Sequence, residues 1–216
     1  MRLGMLFADR TDAGQQLGQR LAAEVDGPAV VLGIPRGGVV VAAEVAKALD
    51  APLDVVVPRK VGAPFNPELG LGAVAPGVRV LDERLIRDLG VPSSYLDREI
   101  AAQEREIERR LETYRGGRPP VDVTGSIAVV VDDGVATGGT AVAACRWARA
   151  AGAKEVVLAV PVAPPQAMGM LTAEAGRVVA LATPAPFHAV GQWYLDFDQV
   201  GDRQVVELLR QDESRR

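Results

Sequence analysis

Apolar positions along the chain fall into two kinds of run. Ala29–Ile34 (AVVLGI), Leu53–Val57 (LDVVV), Ile127–Val131 (IAVVV), Glu155–Val160 (EVVLAV) and Arg177–Leu181 (RVVAL) are short, continuous and rich in β-branched residues. Runs of this kind, without polar alternation, predict strands buried on both faces, as in a parallel sheet. Between them, Asp12–Val25, Val39–Leu49, Gly139–Ala151 and Pro165–Ala175 have helical composition, and Leu17, Leu21 and Val25 make one apolar stripe at i, i+4 and i+8. Strands alternating with helices predict an α/β fold, a parallel sheet flanked by helices. Ligands in such sheets bind at the carboxyl ends of the strands.

Two stretches break the alternation. Pro58–Gly77 (PRKVGAPFNPELGLGAVAPG) is long and dense in Gly and Pro. It reads as an irregular loop, either a mobile lid over a site or a plain surface excursion. Ser94–Tyr114 reads as a charged helix with Ser93 or Ser94 as N-cap and Gly116-Gly117 as its stop. Leu96, Ile100, Ile107, Leu111 and Tyr114 share one side of it, and Glu106 and Arg110 form a favourable i, i+4 pair. That stripe predicts packing against the body of the chain or, alternatively, a dimer contact.

Composition narrows the chemistry. The 216 residues suit one compact domain, and 48% hydrophobic content with 24% charged argues against disorder. No apolar run approaches the roughly 18–20 residues of a membrane span, and the N-terminus lacks a secretory apolar segment, so a soluble cytoplasmic protein is expected. The net charge of -4 argues against a nucleic-acid surface but leaves room for a local anion pocket. A single cysteine, Cys145, cannot form an internal disulfide, and a single histidine, His188, cannot build a multi-histidine metal site. His188 reads as structural or exposed rather than catalytic. Any chemistry must therefore rest on carboxylates, cations, hydroxyls and backbone amides. Of the 24 basic residues only Lys47, Lys60 and Lys154 are lysines.

The strongest motif is Ala128–Thr140, AVVVDDGVATGGT. An apolar strand ends in adjacent carboxylates, Asp132 and Asp133. A Gly-rich turn then presents Thr137, Gly138, Gly139 and Thr140 at the start of a helix. Glycines admit an anion close to backbone amides, a helix N-terminus adds unpaired N–H groups and partial positive charge, and hydroxyls add donors. Gly134 and Gly139 have the separation of a Walker A loop, but no lysine precedes Thr140.

This segment resembles the phosphoribosyl-pyrophosphate (PRPP) motif of type I phosphoribosyltransferases, with the A-T-G-G-T loop of adenine-type members. The resemblance implies that Asp132 and Asp133 hold the ribose hydroxyls and that Ala136, Thr137, Gly138, Gly139 and Thr140 wrap the 5-phosphate. Gly33–Gly38 (GIPRGG) is similar to the family's pyrophosphate loop, which implies a pyrophosphate cradle of Pro35, Arg36, Gly37 and Gly38. It also implies a non-proline cis peptide at Pro35–Arg36 or Arg36–Gly37. Val57–Gly62 (VPRKVG) resembles the start of the adenine-type catalytic loop, placing Arg59 and Lys60 on the leaving pyrophosphate and Glu68 as general acid–base. Pro184–Phe197 (PAPFHAVGQWYLDF) gathers aromatic residues and resembles the base-binding segment of 6-oxopurine enzymes. By that likeness Phe187 stacks on an acceptor base, Asp196 meets its exocyclic group and Trp193 lines the pocket. The segment carries one more residue between Gly191 and Leu195 than the family pattern. Val160-Pro161-Val162 also lacks the family's purine-reading lysine.

The resemblance covers roughly Ala8–Leu181. It implies a type I phosphoribosyltransferase fold, with residues 1–216 as a single domain. The core is about 8–82 and 119–182, and the helical insert 83–118 and C-terminal segment 183–216 form a small hood. The implied reaction is Mg²⁺-dependent phosphoribosyl transfer from PRPP to a nitrogen nucleophile such as a nucleobase. Magnesium arrives with PRPP, with Asp132 and Asp133 as the candidate protein contacts. Two other readings stay open: a PRPP- or nucleotide-sensing regulator without catalysis, and action on another phosphorylated sugar. The expected partners are PRPP and a small-molecule acceptor, without nucleic acid or membrane; a homodimer is the commonest symmetric assembly.

Overall fold

A computed structural model describes residues 6–216. Its frame is a five-stranded parallel sheet: β1 (Ala29–Gly33), β2 (Leu53–Val55), β6 (Ile127–Val131), β7 (Glu155–Val162) and β8 (Arg177–Ala182). The strand order is β2-β1-β6-β7-β8. All five apolar runs become strands. Successive residues leave a strand on opposite faces, so Val31, Val129, Val131 and Val157 join one core while Val30, Leu32, Val130 and Leu158 join another. Helices α1 (Arg10–Ala22), α2 (Gly37–Leu49) and α7 (Asp202–Arg215) supply the first face; α5 (Gly139–Ala150) and α6 (Pro165–Ala175) supply the second. This is the expected α/β architecture, a parallel sheet flanked by helices.

The chain leaves β1 outward to β2 and returns on the other side of β1 to make β6. The register aligns Gly33 with Val131, so the strands end level and their following loops meet. This reversal is the position at which open α/β sheets bind ligands.

The segment 58–77 corrects the loop expectation. It forms most of a second, antiparallel sheet: β3 (Arg59–Ala63), β4 (Asn66–Ala75) and β5 (Val78–Leu81). Val61, Leu71 and Val74 pack on one side with Ile100, Ile107 and Tyr114 of α4 (Ser93–Arg115). Ala73, Ala75, Val78 and Val80 pack on the other with Ala143 and Trp147 of α5. Gly and Pro density signalled a loop, but these strands are held between two helices that the local sequence does not contain.

The insert helix spans Ser93–Arg115 and ends at Gly116, whose φ of 58° is the left-handed cap expected there. Its N-cap is Pro92, with no side-chain capping bond from Ser93 or Ser94. The apolar stripe packs within this chain, and Glu106 accepts from Arg110 at 2.8 Å. The short α3 (Glu83–Asp88) opens the helical insert, whereas α7 lies outside the sequence expectation. Among the described residues, no helix is long and apolar enough to cross a membrane.

Candidate active site

Beyond Val131 the chain turns sharply and carries Asp132, Asp133 and the 134–138 loop into α5. Backbone bonds pin its start: Ile34 N–H donates to the Val131 carbonyl at 2.8 Å, and Val135 N–H to the Val162 carbonyl at 2.9 Å. Gly138, at φ 87°, opens α5, so the first-turn amides of Gly139 and Thr140 face the loop mouth. Gly138 is covered by Met170 and Leu171 of α6, whereas Ala136 and Thr137 are exposed.

The β1 loop sits directly alongside. The Pro35–Arg36 peptide is cis, one of the two bonds named from sequence. A Cβ on Gly37 would overlap the Asp133 carboxylate, and one on Gly38 would press on Asp132. Only glycine at both positions lets this loop and the acid pair share the switch point. The N-terminus of α2 thus meets the two carboxylates that lead into α5, which sets hydroxyl acceptors beside amide donors suited to an anion.

Burial pushes both carboxyls above the usual range. At Asp132 the neighbouring Asp133 charge adds to burial; at Asp133 the Arg10 guanidinium opposes it. Arg10, the first residue of α1, donates from Nε to Asp133 Oδ2 at 2.7 Å. Tyr194 donates its hydroxyl to the Asp133 carbonyl at 2.6 Å, and burial raises the Tyr194 hydroxyl far above its ordinary value.

The family match decides what this site belongs to. A model of the phosphoribosyl transferase domain matches residues 10–180. The chain belongs to the phosphoribosyl transferase domain family. It is 53% identical over 205 residues to a Mycobacterium tuberculosis H37Rv protein named "Putative phosphoribosyl transferase Rv0571c", and equally to its strain CDC 1551 / Oshkosh counterpart, MT0597. Those alignments cover 94% of this chain but 46% of each relative, so the chain spans about half the length of the curated relatives it matches. The solved structure of TT1426 from Thermus thermophilus is 48% identical, with a TM-score of 0.81 over 96% of this chain and 99% of that one.

Within this phosphoribosyl transferase domain the cations disperse. Arg59 and Lys60 are consecutive on β3 and point to opposite sides of it. Arg59 Nε donates to Gln103 Oε1 of α4 at 2.9 Å, and burial followed by the Arg110 charge lowers its pKa. Lys60 lines a cavity of about 310 Å³ with Gly70, Asp82, Thr137, Gly139 and Thr140, across from the 136–140 loop. Arg36 extends to 3.9 Å from Asp202 Oδ1, which also accepts from the Tyr114 hydroxyl at 2.8 Å. Glu68 belongs to β4, but its side chain lies outside the described residues.

The acceptor candidates divide similarly. Trp193 is 2% exposed and packs in a cluster with Phe7, Ala13, Val162 and Tyr194, which leaves no open ring face. Phe187 is half-buried against it, ring centroids 6.0 Å apart. Asp196 is exposed and accepts from Asp198 N–H at 3.1 Å. His188 is exposed. Val190 sits over Gly134, bringing this segment onto the acid-pair loop. Sequence reading missed Arg10 altogether. Its partner lies 123 residues away, and no local motif marks it.

Proposed function

We propose that this domain binds PRPP with Mg²⁺ and transfers its phosphoribosyl group to a nitrogen nucleophile, with a nucleobase as the acceptor class. The observation that carries the reading is the convergence of the acid pair, the 136–140 loop and the 35–38 loop at one strand-order reversal, with Lys60 across the phosphate loop. Asp132 and Asp133 receive the ribose hydroxyls. The amides and hydroxyls of Thr137–Thr140 hold the 5-phosphate; Lys60, read from sequence as a contact of the leaving pyrophosphate, lines the cavity beside this loop, which supports a contact with the 5-phosphate instead. Pro35–Gly38 cradles the pyrophosphate, with Arg36 as its cation. Arg59, turned toward α4, acts on the leaving group only after moving from Gln103.

Two half-buried carboxylates and a polyphosphate offer hard oxygen donors, which suit Mg²⁺. Among the described residues no three His, Cys, Asp or Glu side chains gather to hold a metal ion, and in this reading PRPP oxygens supply most of the ion's coordination. The ion would neutralise pyrophosphate charge. In the reaction the bond from ribose C1 to pyrophosphate breaks, the bond from C1 to the acceptor nitrogen forms, and the nitrogen's proton passes to a base, for which Glu68 is the proposed group. We read the insert 83–118 and the segment 183–216 as the hood of a single domain. The buried Trp193 favours a second reading, a PRPP-sensing regulator without an acceptor platform.

Incubation with PRPP, Mg²⁺ and a nucleobase panel tests both. Pyrophosphate release with one base establishes transfer. Tight PRPP binding without release supports the sensor, and absence of binding to both PRPP and ribose 5-phosphate overturns both readings.

A further inference from the structure

Adjacent carboxylates at the end of a buried strand repel each other, and both are drawn toward protonation when no cation is near. Here the chain brings its own cation. Arg10 is 11% exposed and Asp133 16%, with Nε–Oδ2 at 2.7 Å. The same guanidinium donates from Nη1 to the Asp198 carbonyl at 2.8 Å and lies 3.7 Å above the Phe197 ring. Its room depends on the pyrophosphate loop, since a Cβ on Gly37 would come within 2.7 Å of Arg10 Nε.

The fixture around Arg10 is made from both ends of the chain. Phe7 bridges Tyr194 in parallel, Leu195 N–H donates to the Phe7 carbonyl and Asp196 N–H to the Ala8 carbonyl, each at 2.9 Å. Tyr194 holds the Asp133 carbonyl while Arg10 holds its carboxylate. One strap therefore grips Asp133 at backbone and side chain. The same strap carries the segment that lies over the acid-pair loop.

We infer that Arg10 is a positioning residue for the sugar. It fixes the Asp133 carboxylate in the orientation that receives a ribose hydroxyl, and it ties the Tyr194–Asp198 segment to that event. The inference rests on the PRPP reading above and adds to it a residue outside the PRPP, pyrophosphate and lid motifs. A charge-assisted, two-pronged contact of this kind is lost in steps. Arg10→Lys keeps the charge but cannot reach Asp133 and the Asp198 carbonyl with one planar fork. Phe197→Leu keeps the ion pair and removes the ring beneath it, together with that ring's contact to Tyr194 at 4.9 Å between centroids.

Calorimetric titration with three probes tests this: PRPP with Mg²⁺, ribose 5-phosphate, and inorganic pyrophosphate. Arg10→Ala is expected to weaken PRPP and ribose 5-phosphate by about 10- to 100-fold while leaving pyrophosphate within about twofold. Arg10→Lys should recover part of the loss, and Phe197→Leu should cause a loss of about 2- to 5-fold in the same direction. Added guanidinium ion should restore sugar binding to Arg10→Ala, which a merely misfolded variant would not allow. If Arg10→Ala does not fold, Arg10→Lys and Phe197→Leu decide the matter. Wild-type-like or tighter sugar binding in the folded variants overturns the role of Arg10 and leaves the PRPP reading standing. A wild-type chain that binds neither sugar phosphate overturns both.

Discussion

Every residue of β6, Ile127–Val131, is buried, whereas β5, Val78–Leu81, has no fully buried residue and β3 opens with a half-exposed Arg59 and an exposed Lys60. The two sheets divide the labour accordingly. The parallel sheet sets loop ends level and holds the acid pair to a fixed place. The antiparallel sheet is a thin layer between α4 and α5 that carries a cation, Lys60, to the cavity beside the 136–140 loop. Its strands depend on their neighbours for order, so its integrity should fail first when those neighbours are disturbed.

The largest expected effect breaks the joint between the two regions. Asp54 of β2 is 5% exposed and accepts from Arg115 Nε at 3.1 Å and Nη2 at 3.0 Å, at the end of the helix that backs the antiparallel sheet. It also accepts from Val121 N–H at 2.9 Å. Asp54→Ala leaves the largely buried Arg115 guanidinium, 12% exposed, without its carboxylate and with only the Val55 carbonyl beside it, a loss of about 3 kcal/mol. Urea unfolding should show that drop, and pairing Asp54→Leu with Arg115→Met should recover part of it. A drop below about 1 kcal/mol would mean that apolar packing of α4, not this ion pair, joins the regions.

A second substitution probes the thin sheet directly. Gly72 in β4 has φ 151°, and a Cβ there would overlap the Val80 carbonyl oxygen of β5. Gly72→Ala should cost roughly 2–4 kcal/mol by combining backbone strain with overpacking. Gly77→Ala in the exposed β4–β5 turn, with open space around it, should cost only about 1 kcal/mol. Equal losses in thermal unfolding would show that β4 and β5 can part without consequence.

This contrast also explains which parts of the molecule were readable beforehand. Strands buried on both faces need unbroken apolar β-branched runs, so Val129–Val131 announces itself whatever lies nearby. The acid pair and its Thr-Gly loop are contiguous, and contiguity makes a motif. In the antiparallel sheet the burial of Val61 and Leu71 comes from α4 and that of Ala73 from α5, so local composition spoke only of glycine and proline. The α7 stripe, Val205 and Leu209, was present but sits among charges. Arg10 is the extreme case: its importance comes wholly from three partners at 133, 197 and 198.

The smallest expected effect compares the regions by the sign of their pH response. Glu106 on α4 is held down to about 2, from an ordinary value of 4.5, chiefly by hydrogen bonds from Arg109 and then Arg110. A carboxyl whose folded pKa is depressed contributes stability above its unfolded pKa and loses it as pH falls through the folded one. Glu106→Gln should therefore lower stability by about 0.5–1 kcal/mol at neutral pH, since the side chain remains partly exposed. The gap to wild type should begin closing below pH 4.5 and vanish near pH 2. At Asp132 and Asp133 the shift runs upward, so their contribution is greatest at low pH and is lost as pH rises through the folded pKa values. Melting temperatures of wild type and Glu106→Gln, measured across that acid range, separate the two. A gap independent of pH would assign the role of Glu106 to packing on α4 rather than to its charge.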